Sequence, residues 1–281
     1  MEDGVTSHKP TNTFQRAAQS APATPRSGQA PAPTSAATSG PASADPSAVR
    51  SAEVNRSAST FDRDLHLLRR RIVRLATSSV DLLEASIRAL WDLDTAGARE
   101  VRQGEEMIDL EEVAIERECL RLLTLQQPYG LDFRQLTFCL KVNADLERVA
   151  DHASSIAKVT LKLGDVGVTP RWPTALTDLG ERLPVVCHRL LRAMLDDDAE
   201  AARGLVGSDE VIDTLDKRLF QELAEHAAKH PSDGAAVLLM HRVGRDLERV
   251  GDLMCNIAED VVYLVTGEII RHERSGDAAR S

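Results

Sequence analysis

From Phe61 onward apolar residues recur at three- and four-residue spacing, and "LHLLRRRIVRLATSSVDLLEASIRALWDLD" keeps that rhythm for about thirty positions, the period of an amphipathic helix. A second helix is expected from Thr95 to Leu125, ending before "QQPYG", where Pro128 and Gly130 interrupt it. A third is expected from Leu131 to Leu163, stopping in the Gly- and Pro-rich "LGDVGVTPRWP". The plan then repeats. Helices are expected over Thr174 to Asp196 and over Asp198 to Lys229, followed by a break at "HPSDG" and a last helix from Ala235 to Tyr263. Pro184 either kinks the fourth helix or marks its start. The pattern predicts an all-α fold of two tandem three-helix bundles, 61–164 and 174–272. Short connections make sequential helices antiparallel neighbours.

Residues 1–60 carry no such rhythm. The stretch "SAPATPRSGQAPAPTSAATSGPASADPSA" is Ala, Pro, Ser, Thr and Gly with almost no large apolar side chain, so it cannot bury enough surface to offset its ordering entropy. A disordered extension is expected there. Its five Lys and Arg nearly cancel its four Asp and Glu, so it is not an electrostatic arm.

Composition narrows the function. The chain is 42% apolar but only 3% aromatic, with a formal charge of −10. An acidic surface argues against nucleic-acid binding, because phosphate backbones require a basic face. Four cysteines, Cys119, Cys139, Cys187 and Cys255, form no CxxC and no disulfide framework, and read as buried thiols of a reducing compartment. No stretch is long and apolar enough for a membrane span, and no secretory leader is visible. A cytoplasmic protein without direct membrane insertion is expected.

The candidate chemistry lies in a repetition. "DLERVADHASSIA" begins at Asp145 and "DLERVGDLMCNIA" at Asp246, and each places an acid pair four residues apart on one helix face: Glu147 with Asp151, and Glu248 with Asp252. A lone pair at this spacing is common by chance in a chain with 44 acids among 281 residues. Each preceding helix, however, carries its own pair, Glu105 with Asp109 and Asp209 with Asp213. Helical phase puts Leu146, Val149, Ala150, Ala153 and Ala157 beside the first set, and Ile108, Ile115 and Leu122 beside Glu105 and Asp109, so the acids border the core. If the core stripes of two neighbouring helices face each other, four carboxylates converge in each half. Such a group repels itself unless protons or a cation intervene, and an all-oxygen donor set suits hard cations such as iron, manganese or magnesium. The alternative is a solvated acidic face paired with Lys141, Arg148 and Arg249. Arg148 and Arg249 are also candidate supports for the ligands, and Ser155 and Asn256 candidate contacts of the metal or its water. His241 is a possible further ligand or a packing histidine.

Catalytic patterns are missing from the sequence. No histidine has Glu three residues before it, as a ferritin-like di-iron site needs, and there is no GxSxG elbow or phosphate-cradling Gly loop. A non-enzymatic protein without an organic cofactor is expected.

With "FDRDLHLLRRRIVRL", "CLRLLTLQQP", "DFRQLTFCLKVNADLERVADHASSIA" and "DLERVGDLMCNIAEDVVYLVTGE" in view, the chain resembles the PhoU family of bacterial phosphate-uptake regulators. The resemblance spans roughly Thr60 to His272. It implies two symmetry-related three-helix bundles, a homodimer in many members, and metal clusters on ExxxD-type motifs, here Glu105, Asp109, Glu147 and Asp151 for one and Asp209, Asp213, Glu248 and Asp252 for the other. It further implies negative regulation of the phosphate-starvation response by coupling the Pst phosphate ABC transporter to the sensor kinase PhoR. The alternative function is a metal-binding helical scaffold with no phosphate role.

Overall fold

The computed structural model describes residues 46–166, 171–206 and 209–270. Seven α-helices follow in order: α1 Pro46–Asp92, α2 Thr95–Gln126, α3 Leu131–Val166, α4 Thr174–Asp196, α5 Ala199–Arg203, α6 Asp209–Lys229 and α7 Gly234–Thr266, with one 3-10 turn at Pro231–Asp233 before α7. No strand occurs among the described residues. The first bundle is α1, α2 and α3, and the second is α4, α7 and the broken α5 and α6.

The helices form where the apolar period demands it. Along α1, Leu65, Leu68, Ile72, Leu75, Leu83, Ile87 and Leu90 are all buried, a stripe that returns every three or four residues. Local chemistry sets the ends. Asp94, just before α2, accepts from the backbone N–H of Ala96 and of Gly97, and Asp198 does the same for Ala201 at α5. Gln127 closes α2 in the left-handed region at φ 45°, directly before Pro128, and Gly267 closes α7 at φ 80°.

The two bundles share one apolar core. α3 packs on α1 and α2 within its own bundle and on α7 of the other, while α7 packs on α3 and on α4, α5 and α6. Two polar links cross the α3–α7 seam. At one, the Asp246 carboxylate lies 2.9 Å from Nδ1 of His152 and accepts from the Ser155 hydroxyl at 2.6 Å, and Arg242 donates to Ser155 at 3.0 Å. At the other, Lys141 pairs with the buried Asp260 at 2.8 Å. At the second contact between bundles, α1 against α4, Trp91 meets Trp172 edge to face with ring centroids 5.0 Å apart.

Two expectations need correction, and two more need comment. α1 begins at Pro46, so the segment expected to be disordered over 1–60 is helical from that residue; residues 1–45 lie outside the described residues. Proline is well placed in a helix's first turn, where its missing N–H has no partner to lose, and Ala and Ser extend a helix without needing a core. The single helix expected from Asp198 to Lys229 is instead α5 and α6, interrupted after Arg203 by turn residues Gly204, Leu205 and Val206. Pro184 is not a helix start: α4 runs through it from Thr174. The second bundle was expected to reach 272, and residues 271–281 lie outside the described residues.

Two glycines on α7 decide how closely α6 approaches. A Cβ at Gly244 would stand 2.2 Å from Cδ2 of Leu219, and one at Gly251 would stand 3.2 Å from Cγ2 of Ile212. Leu219 is fully buried and has little room to move. Gly244→Val is therefore expected to lower stability by about 1–3 kcal/mol through overpacking, read as a fall in the urea midpoint with an unchanged m-value.

Candidate metal centres

The close approach of α6 to α7 brings acids together. Asp213 follows Ile212, the residue against Gly251, and thus faces Glu248 and Asp252. These three carboxylates each offer an oxygen, and the three atoms lie within 4.8 Å of one another. Oε2 of Glu248 is buried without a hydrogen-bond partner. Burial, and next the charge of Asp252, push the Glu248 carboxyl above its usual range, against the opposing pull of Arg245 and Arg249. Arg245 lies 3.3 Å from Glu248 and 3.3 Å from Asp216, and Arg249 lies 3.2 Å from Asp252 and 3.6 Å from Glu248. Asp209, the fourth expected member, starts α6, but its side chain lies outside the described residues.

In the first bundle Glu105, Asp109, Glu147 and Asp151 meet electrostatically. Glu105 and Asp151 are joined side chain to side chain, and burial, that contact and the charges of Asp109 and Asp151 raise the Glu105 carboxyl. Asp109 is raised by burial and by Asp151, and Glu147 by burial, Asp151, Asp109 and Glu112. The first-bundle acids do not close to the mutual separation of the Asp213, Glu248 and Asp252 group, which alone among the described residues reaches it. Repulsion with few cations nearby accounts for the spread: Lys158 acts on Glu105 and Arg148 on Glu147, whereas the second group has two arginines within 3.6 Å.

The donor set fits a hard cation. It is carboxylate throughout, and Oε2 of Glu248 is buried with no hydrogen bond, facing only the Arg249 guanidinium at 3.6 Å. Several expected accessory residues lie elsewhere. His241 stacks edge to face on Phe220 at 5.9 Å, a packing role. Ser155 is engaged with Asp246 and Arg242 at the seam between bundles. Arg148 pairs with Asp145 at 3.6 Å and acts on Glu147 only through space, while Arg249 reaches the acids directly.

Three further participants escaped the sequence reading. Glu112 on α2 accepts from the Asn143 amide at its carbonyl oxygen and its carboxylate, and its carboxyl is raised by burial and by Glu116 and Asp109. Asp216 is its equivalent on α6. Both follow the corresponding ligand candidate by three residues, so the repeat itself carried the signal. Arg245 has no equivalent, because Ala144 stands at its place in the first bundle.

The model of the PhoU domain matches this chain twice, over residues 72–160 and 176–261. The chain belongs to the PhoU family. Relatives include the phosphate-specific transport system accessory protein PhoU homolog of Pseudomonas aeruginosa, 31% identical over 212 residues that cover 75% of this chain and 88% of that one. The homolog of Deinococcus radiodurans is 33% identical over 168 residues, 60% of this chain and 78% of its own. Among solved structures, PhoU of Pseudomonas aeruginosa aligns with a TM-score of 0.71 at 30% identity, covering 74% of this chain and all 100% of that one. The phosphate transport system regulatory protein PhoU of Streptococcus pneumoniae aligns at 0.67 with 27% identity, over 75% of this chain and 99% of its own. The two matched PhoU segments fall on the two bundles and include every ligand candidate. No helix among the described residues is long and apolar enough to cross a membrane.

Proposed function

We propose that this PhoU-family chain regulates phosphate transport, restraining the phosphate-starvation response by linking the Pst phosphate ABC transporter to the sensor kinase PhoR from the cytoplasm as a homodimer. The observation that carries the reading is the double PhoU match, one per bundle, together with relatives named as phosphate transport accessory proteins whose length this chain largely spans. The architecture is compatible with such a role. Long helices joined by a shared core offer extended faces for docking on other helices, and regulation then acts by favouring one state of the transporter and kinase assembly.

Metal belongs to the same proposal. Asp213, Glu248 and Asp252 would hold a hard cation in the second bundle, with Glu105, Asp109, Glu147, Asp151 and the adjoining Glu112 as the first-bundle set. A bound cation supplies the positive charge that lets the carboxylates stay close. Arg249 and Arg245 orient Glu248 from two sides, and Arg249 also reaches Asp252. The raised first-bundle carboxyls take up protons more readily than free acids when no cation competes.

Deleting the gene in its host is expected to switch on phosphate-starvation genes in phosphate-rich medium, read with a transcriptional reporter. Unchanged expression in a strain with no second family member would remove the regulatory reading and leave a metal-binding scaffold.

A further inference from the structure

A groove of about 790 Å³ lies between α1 and the end of α4, lined by His66, Arg69, Arg70, Val73, Arg74, Leu195 and Asp197. Its chemistry is opposite to that of the rest of the molecule. The chain carries a surplus of ten negative charges, yet four of the seven lining side chains are basic. Helix geometry explains the alignment: His66, Arg70 and Arg74 are spaced four residues apart and form one ladder along α1, with Arg69 and Val73 on the adjoining one.

The neighbouring arginines are committed to acids. Arg71 donates to Glu111 at 2.7 Å, and Arg121 on α2 holds both Asp64 of α1 and Glu118. Arg69 is paired with Asp197 at the groove's rim. Arg70 and Arg74 are exposed, and among the described residues no carboxylate lies within ion-pair distance, 4.0 Å, of either; Arg74 acts on Glu111 only through space, beyond that distance. Two unpaired guanidinium groups one helical turn apart, with an exposed imidazole one turn further, present a row of forked donors suited to adjacent phosphate groups. Val73 and the exposed Leu195 add an apolar wall, and the volume falls in the range of small-molecule sites.

Asp197 is placed there by the backbone. It ends α4 in the left-handed region at φ 51°, with its N–H bonded to the Ala193 carbonyl, and from that position its carboxylate reaches Arg69. The equivalent residue after α1 is Leu93, also at φ 51°. The repeat thus carries an apolar side chain at one copy of this turn and a groove-lining acid at the other.

We infer that this groove binds a small multiply phosphorylated anion, with adjacent phosphates on Arg70 and Arg74, next to His66. The source is either an inorganic oligophosphate or a nucleoside polyphosphate, the latter laying its uncharged part on Val73 and Leu195. This binding does not depend on the carboxylate clusters, which lie on α2, α3, α6 and α7.

The test is calorimetric titration of the full chain with tripolyphosphate and with adenosine triphosphate in dilute salt, and with a polyglutamate peptide as a third probe. The parent is compared with Arg70→Ala/Arg74→Ala and with Arg99→Ala/Arg102→Ala, which removes the same charge from exposed positions outside the groove. Binding to the parent, at least tenfold weaker in the first variant and unchanged in the second, is the expected result. A cation bridging phosphate to the acid clusters would leave the first variant unaffected. Tighter binding of the nucleotide than of tripolyphosphate assigns the apolar wall to a nucleoside, and equal or weaker binding assigns the site to the phosphate chain alone. Absence of binding to the parent, an equal loss in both variants, or stronger groove binding of polyglutamate than of either phosphate would overturn the inference.

Discussion

Adding manganese, iron or magnesium to the chelated chain is expected to raise its melting temperature, and Glu248→Gln with Asp252→Asn is expected to remove the second bundle's share of that response. A cation at a hundred times its dissociation constant stabilises the folded state by about 2.7 kcal/mol, which for a chain of this size is a shift of about 5 °C or more. The dependence on pH makes the test specific. Without metal, Glu105, Asp109, Glu112, Glu147 and Glu248 have folded carboxyls raised above their unfolded values, chiefly by burial. A raised acid contributes stability that is complete below its unfolded pKa and is lost as pH rises through the folded one. The metal-free chain should therefore gain stability as pH falls from neutral toward the ordinary carboxylate range. Further acidification works the other way, because Glu111 and Glu118 are lowered by Arg71 and Arg121 and lose that benefit on protonation. With metal present, protons compete with the cation and the same fall in pH should diminish the metal's effect. A substituted chain whose melting temperature responds to metal as strongly as the parent's would show the ladder to be a solvated acidic face.

The second large effect is expected at the seam between the bundles. Asp246 on α7 serves two α3 groups at once, His152 and Ser155, and Arg242 lies 4.0 Å from its carboxylate. Asp246→Ala leaves these groups without their shared acceptor in a part-buried place, at a cost of about 2–3 kcal/mol. Arg242 is half exposed and can turn to water, which keeps the loss from being larger. Asp246→Asn retains an acceptor oxygen and should recover part of it. Equal denaturation midpoints for Asp246→Ala and the parent would mean that this polar link contributes nothing to holding the seam.

The helices and the tandem repeat were legible because both rest on period. The break between α5 and α6 was not, and the reason is visible in the residues that stay buried: Ala202, Leu205, Ile212, Leu215 and Leu219 keep helical spacing across the interruption, so the apolar rhythm continues where the backbone does not. The start of α1 was missed for the opposite cause. A search for buried apolar stripes passes over an Ala- and Ser-containing segment whose helix forms by backbone propensity and by extension from a packed neighbour. At the metal centres, helical phase brought out three of the four second-bundle acids that the structure gathers, because i and i+4 on one helix share a face. Arg245 stayed hidden because comparing the two repeats reveals what both copies hold, and its counterpart is Ala144. Pairing between distant helices is likewise absent from any local pattern, which is why His152 and Asp246, 94 positions apart, drew no notice as partners.

The meeting of Trp91 and Trp172 gives the molecule a built-in optical gauge. These are the chain's only two tryptophans, so all of its indole emission arises from one spot, where the end of α1 meets the residues leading into α4. With ring centroids 5.0 Å apart the two chromophores couple, and their near-ultraviolet circular dichroism should carry the signature of that coupling. Light absorbed and emitted by this pair reports whether the two bundles are seated on each other and is insensitive to fraying at the far ends of the helices. A regulator that works by shifting the angle between its halves would reveal each shift in the colour of its own fluorescence, with no label attached.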